Sequence, residues 1–212
     1  MKAGILGTGR MGRALAELLR AAGHEVVLGS RTPDDAPVPA IGSAEAVERS
    51  DVVLVALPHV AIEPNIDLLS TIAPGTIVID LANAVRVVDG RIRSALDEPH
   101  GRWMADLLSH TKVARAFTHV PDELLVSRAT RQPDTWAVAV AADDDDALSI
   151  AGELVRSARY LPVPVGDLDH SAVLDPGGPL FANLYLPGDM QDLLSRKDSW
   201  KEASACPAIP GV

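Results

Sequence analysis

The sequence predicts an α/β fold: a doubly wound, mostly parallel sheet followed by a short irregular C-terminal element. Three observations lead there. From Lys2 onward short β-rich runs alternate with amphipathic stretches, as in a parallel sheet covered by helices on both faces. The apolar residues of those runs are continuous instead of alternating, which suits strands buried on both sides. A glycine motif stands between the first run and the first amphipathic stretch.

Ala3 to Leu6 reads as the first strand. Met11, Ala14, Leu15, Leu18, Leu19 and Ala22 then recur at helical spacing, and Gly23 stands where a left-handed C-terminal residue is wanted. Glu25 to Leu28 is the second strand. Ser43 to Arg49 reads as a short helix opened by a Ser cap, with Glu45 and Glu48 in its early turns. Further strands are expected over Val52 to Leu57, Thr76 to Ile79, Lys112 to Ala116 and Trp136 to Ala141. Asp145 to Ser157 is a helix with Ala147, Leu148, Ala151, Leu154 and Val155 on one face. After about Gly166 the periodicity gives way to turn signals at Asp175-Pro176-Gly177-Gly178-Pro179 and Leu186-Pro187-Gly188-Asp189. Residues 1–166 are therefore read as a nucleotide-binding domain. Residues 167–212 are read as a C-terminal extension that packs on its own cleft or on a second subunit, with Ser195 to Val212 as a loose tail.

A chain of 212 residues with 47% hydrophobic content can bury one sizeable core. A net charge of -10 and 3% aromatic content argue against nucleic acid, since there is neither a basic patch for phosphates nor a platform for bases. Cys206 is the only cysteine, which excludes an intramolecular disulfide and a cysteine zinc cluster and fits a reducing, cytoplasmic setting. Nothing approaches the ~20 apolar residues needed to span a bilayer, and Met1 to Gly7 reads as a strand and not as a signal peptide. Asp143 to Asp146 lacks the alternate spacing and glycine of a calcium loop and reads as a solvated helix start, so no metal is expected. With no base near it, Cys206 is not expected to be a catalytic thiol.

Gly7-Thr8-Gly9-Arg10-Met11-Gly12 is a G-x-G-x-x-G between a predicted strand and a predicted helix. In this context Gly7 permits the tight turn, Gly9 lets the backbone approach a pyrophosphate, and Gly12 lets the helix pack on the strand. The helix N-terminus offers N–H groups and partial positive charge to the phosphates. The bland alternative is a glycine-rich turn that binds nothing. The fold expected is Rossmann-like. Cofactor choice lies at the end of the second strand, where NAD sites carry a carboxylate. Here stand Ser30, Arg31 and Thr32, a set suited to a 2′-phosphate because arginine can donate two parallel charge-assisted bonds. Asp34 and Asp35 could serve NAD, but they follow Pro33, which turns the chain away. NADP(H) is the expected cofactor.

Ile5-Leu6-Gly7-Thr8-Gly9-Arg10-Met11-Gly12 and Gly23-His24-Glu25-Val26-Val27-Leu28-Gly29-Ser30-Arg31 together resemble the N-terminal part of NADPH-dependent coenzyme F420 reductases. The same module occurs in cytoplasmic domains of some metalloreductases. The resemblance continues through Ala56-Leu57-Pro58, Asp80-Leu81-Ala82-Asn83, Ala116-Phe117-Thr118-His119-Val120-Pro121 and Ala142-Asp143-Asp144-Asp145, covering about residues 1–166. It implies hydride exchange between NADP(H) and the deazaflavin F420, stacked in a cleft at the C-terminal edge of the sheet. By position, Thr8, Arg10, Met11, Ser30 and Arg31 would face NADP. Leu57, Pro58, His59, Asn83, Thr118, His119, Val120 and Pro121 would line the nicotinamide and deazaflavin side. The chain departs from the family pattern at Ala84, where proline is usual, and at Thr118-His119. It departs again beyond Gly166, where a hydrophobic terminal helix is usual. The family habit also implies a homodimer.

Hydride transfer between stacked rings needs positioning more than acid or base, so no obligatory catalytic side chain is expected for that reaction. Reduction of a small imine, carbonyl or enal would need a proton donor. His119 and His59 are the candidates, and Asp175 or Tyr185 could serve if the extension folds over the cleft. The structural alternatives are that His59 caps a helix and His119 orients backbone. A third reading is an NADPH-binding sensor without turnover.

Overall fold

A computed structural model describes residues 1–196 of the chain. The chain runs β1 (Lys2–Leu6), α1 (Arg10–Ala21), β2 (Glu25–Ser30), β3 (Ile41–Gly42), α2 (Ser43–Glu48), β4 (Val52–Val55), α3 (Ile66–Leu69) and β5 (Ile77–Asp80). It continues through β6 (Val85–Val88), β7 (Arg91–Ser94), α4 (His100–Leu107), β8 (Lys112–Ala116), α5 (Asp122–Arg131), β9 (Ala137–Ala142), α6 (Asp145–Ser157), β10 (Leu161–Gly166) and α7 (Pro187–Ser195). The main sheet has the order β10-β9-β8-β5-β4-β1-β2-β3. Its pairs are parallel except β8 with β9, which makes it a mostly parallel, doubly wound, Rossmann-like sheet.

The continuous apolar runs explain this architecture. β4 is buried along its whole length and β9 likewise, so both faces need covers. Leu15, Leu18 and Leu19 of α1 and Leu154 and Val155 of α6 pack on one face. Val47 of α2, Leu69 of α3 and Met104 of α4 pack on the other.

Several elements differ from the expectation. α2 is preceded by Gly42 with no side-chain cap, and Ser43 lies inside its first turn, so the Ser-cap reading is corrected. α6 is capped by Asp144, whose Oδ1 accepts from the N–H groups of Asp146 and Ala147, both at 3.0 Å. Within the acidic run Arg102 bonds Asp143, and Lys112 reaches Asp144 and Asp146. β10 escaped notice because Pro162 and Pro164 interrupt its pattern; it is an edge strand, where lost N–H donors cost the ladder least. The β6–β7 hairpin is exposed, with its valines on the surface, and so lacks a buried face to signal it.

Beyond Gly166 the described residues pack on the chain's own sheet. Val173, Leu174, Leu180 and Met190 form a cluster with Ala137, Ala139 and Val163, and the Tyr185 carbonyl accepts from the Ala137 N–H at 2.8 Å. α7, part of which had been read as loose tail, is anchored there through Met190. Cys206 lies outside the described residues. Among the described residues no helix is long and apolar enough to cross a membrane.

Candidate functional site

Strand order reverses direction between β1 and β4, and an open cleft of about 520 Å³ lies there, outside the carboxyl ends of β1, β2, β4 and β5. Gly7 has φ +118°, a value open to glycine, and a Cβ there would also press on the Ala56 carbonyl. Gly12 lies beneath the loop, where a Cβ would strike the Gly7 carbonyl oxygen. Gly9 is different. A Cβ on it would meet nothing within 4 Å, so the fold itself imposes no need for glycine at this point on the cleft wall. The start of α1 has no side-chain cap and leaves its first N–H groups to the cleft.

Across the cleft, the Thr32 N–H donates to Ser30 Oγ at 3.2 Å, curling the end of β2. Arg31 is exposed, lines the cleft and makes no ion pair or hydrogen bond among the described residues. Arg10, in contrast, is held by Asp122 at 2.8 Å and Glu123 at 3.5 Å, so its charge is already matched by α5.

Behind Asn83 lies a buried polar network. Arg115 is fully buried in β8 and donates to the Ala82 carbonyl at 3.0 Å and to Asn83 Oδ1 at 2.9 Å. It pairs with Asp175 at 3.0 Å and stands 3.5 Å from Asp80. Asn83 Nδ2 donates in turn to the Thr118 carbonyl at 2.7 Å. Asp80 also bonds His100 Nδ1 at 2.8 Å, and His100 Nε2 lies 3.1 Å from His59 Nδ1. Burial pushes the Asp80 carboxyl up, but His100 and Arg115 outweigh that and hold it below its ordinary range. Asp175 is raised, because burial there exceeds the pull of Arg115.

A family model described as "NADP oxidoreductase coenzyme F420-dependent" matches residues 2–84. F420-dependent NADP reductases of Methanothermobacter marburgensis and Methanothermobacter thermautotrophicus are similar over most of the chain. They are 28% and 26% identical, with 88% of this chain covered in both and 93% and 90% of the two relatives. Metalloreductase STEAP3 of Rattus norvegicus is 27% identical over 79% of this chain and 34% of its own length. Among solved structures, a hypothetical protein from Sinorhizobium meliloti shares the fold with a TM-score of 0.74 and 26% identity, covering 88% of this chain and 95% of that one.

The predicted residues divide into two groups. Gly7, Thr8, Gly9, Arg10, Met11, Ser30, Arg31, Thr32, Leu57, Pro58 and Asn83 line the cleft together. Thr118, His119 and Val120 do not: they are buried beneath it, after Phe117, which holds a left-handed φ of +62°. Pro121, the N-cap of α5, is also off the lining, and so is His59, which is half-buried beside Pro58 and bonded to His100. His119 Nδ1 donates to the Asn183 carbonyl at 3.0 Å, and Nε2 accepts from the Ala139 N–H at 3.1 Å. Burial lowers its pKa to about 4. The ring is thus neutral, with both nitrogens spent on backbone, so the expectation that it donates a proton gives way to the brace that this geometry describes. Asp175 and Tyr185 are also engaged, the Tyr185 hydroxyl donating to the Pro179 carbonyl at 2.9 Å. Sequence reasoning did not single out His100 and Arg115. A histidine opening a helix and an arginine inside an apolar strand carry no periodic signal, although a charge in the middle of Val113 to Ala116 is itself unusual for a buried strand.

Proposed function

We propose that the chain is an NADP(H)-dependent oxidoreductase that exchanges a hydride between NADP(H) and coenzyme F420. The observation that carries the cofactor choice is Arg31, a guanidinium that lines the cleft and has no partner among the described residues. It stands at the end of the second strand, where ribose specificity is decided. The residues fit a dinucleotide. Gly9 leaves open room for a pyrophosphate against the α1 N-terminus, and Ser30, Arg31 and Thr32 offer hydroxyl and guanidinium donors to a 2′-phosphate. Leu57 and Pro58 provide an apolar wall, and Asn83 a polar edge, for the nicotinamide end. When bound, NADPH supplies a hydride to the acceptor. The chain's part is orientation: Arg115 and the Thr118 carbonyl hold the Asn83 amide from both sides, and His119 braces the turn below. The relatives named F420-dependent NADP reductases support F420 as the partner.

The test is to mix the protein with NADPH and oxidised F420 and follow deazaflavin absorbance, with NADH and Arg31→Ala in parallel. Bleaching with NADPH, little with NADH and selective loss in the variant are expected. No bleaching despite tight NADPH binding would overturn the F420 assignment.

A further inference from the structure

Asp80, His100 and His59 form a line from the interior toward the surface beside the cleft, which His59 adjoins through Pro58 without lining it. Asp80 and His100 are fully buried, whereas His59 is half-buried and follows Pro58 of the cleft wall. His59 Nδ1 is bonded to His100, while its Nε2 has no partner among the described residues and is not buried by them. Trp103 packs against both imidazoles, its ring centre 4.8 Å from His59 and 5.1 Å from His100.

The bonding order follows from elementary donor and acceptor rules. The ionised Asp80 carboxylate accepts only, so His100 Nδ1 carries a hydrogen. In a neutral His100, Nε2 then accepts, and the hydrogen between the rings belongs to His59 Nδ1. The free Nε2 of His59 is thereby left as the basic end of the chain. Burial of the His59 ring and the neighbouring His100 lower its pKa, while Asp80 and Glu63 pull the other way.

We propose that this line is a proton relay: His59 Nε2 is a catalytic acid and base, and His100 and Asp80 are positioning residues that supply and hold its proton. The inference rests on the hydride-transfer reading and adds the class of acceptor. The acceptor contains a carbon–nitrogen or carbon–oxygen double bond, free or within a heteroaromatic ring. As its carbon receives the hydride and electron pair from the reduced nicotinamide, its heteroatom takes the proton from His59 Nε2. The donating state is the pair with one added proton, in which both nitrogens of His100 carry hydrogen and His59 carries its hydrogen on Nε2. As Nε2 gives that up, the hydrogen on His100 Nε2 passes to His59 Nδ1 and restores the neutral arrangement, and Asp80 stays ionised throughout. In the reverse direction His59 Nε2 recovers the proton. The relay is reloaded from solvent at the same nitrogen.

Two measurements separate this from the cofactor assignment. Ring 15N–1H spectra of the full chain without ligand should show Nδ1-bound hydrogen on both His59 and His100 in their neutral forms. An Nε2-bound hydrogen on neutral His59 would overturn the relay whether or not NADPH binds. Turnover is then followed with NADPH and either oxidised F420 or the cyclic imine 1-pyrroline. His59→Gln should lower kcat by roughly 10²- to 10⁴-fold and leave NADPH affinity within about twofold. His100→Asn keeps a donor for Asp80 and an acceptor for His59 but cannot carry a proton. It should lower kcat and displace the alkaline limb of the pH profile. Unchanged kcat in His59→Gln, or an unchanged pH profile in His100→Asn, would reduce these histidines to structural parts. Loss of NADPH binding in the wild-type protein would instead defeat the cofactor reading and leave the spectra as the test of the relay.

Discussion

The two sides of the cleft are built in opposite ways. The side formed by the glycine loop and the end of β2 presents mostly backbone, an uncapped helix start and a glycine with open space before it, together with Arg31, which has no partner among the described residues. The side around Asn83 presents side chains held from behind by a buried network of Asp80, His100, Arg115 and Asp175. A backbone site tolerates change in the residues around it, because its donors come with the helix. A side-chain site depends on charges that the interior has already desolvated, so altering one member exposes the others to the full cost of burial.

The largest expected effect breaks the second side. Arg115→Leu removes the cation between two buried carboxylates and should destabilise the protein by about 3 to 5 kcal/mol in urea denaturation; a change under about 1 kcal/mol would show that the network contributes little to folding. Next is a pH effect from His119. Its folded pKa, about 4, lies below the ordinary 6.5, so the unfolded chain binds more protons between these values. Stability contributed by the neutral ring is complete above pH 6.5 and is lost as pH falls toward 4, by up to about 3 kcal/mol. The lowered His59 acts in the same direction. The raised Asp175 acts in the opposite one, its contribution fading as pH rises above the ordinary carboxylate value. Thermal unfolding across this range, with His119→Gln as the flatter control, measures the slope.

On the glycine-loop side the effects fall on binding. Arg31→Ala should weaken NADPH by roughly tenfold to 150-fold, about 1.5 to 3 kcal/mol, and leave NADH nearly unchanged. Equal losses for both nucleotides would place the 2′-phosphate elsewhere. Gly9→Ala should alter stability by less than about 1 kcal/mol, while fluorescence titration shows NADPH affinity falling by about tenfold or more. Unaltered affinity would mean that the open space before Gly9 is not where the pyrophosphate lies.

Legibility in the sequence follows the same division. The strands β1, β2, β4, β5, β8 and β9, the helices α1, α2 and α6, the glycine loop and Ser30 to Thr32 could be read because each depends on local spacing, whereas α3, α4 and α5 were not. Continuous apolar runs mark buried strands, period-3.6 positions mark α1 and α6, and a glycine motif between them marks a phosphate turn. The short β3, the exposed β6–β7 hairpin and the proline-bearing β10 were not legible, since none has a buried face that imposes a period. His59 and His119 were equivalent candidates in the sequence. They were separated only when His119 was found braced between β9 and the Asn183 carbonyl and His59 was found bonded to His100.

The sequence by itself therefore determined the central strands of the sheet, the helices α1 and α6, the glycine loop and the positive charge at the end of β2, all consequences of hydrophobic period and local backbone geometry. Only the tertiary structure decided the rest: that Asp80, His100, Arg115 and Asp175 meet in one buried network, and that the described residues after Gly166 close on their own sheet. The physical reason is separation along the chain. His100 and Asp80 lie 20 residues apart, and His100 and Asp175 lie 75 apart. Desolvation gives such contacts their strength, and it exists only once the fold has excluded water from all of them together.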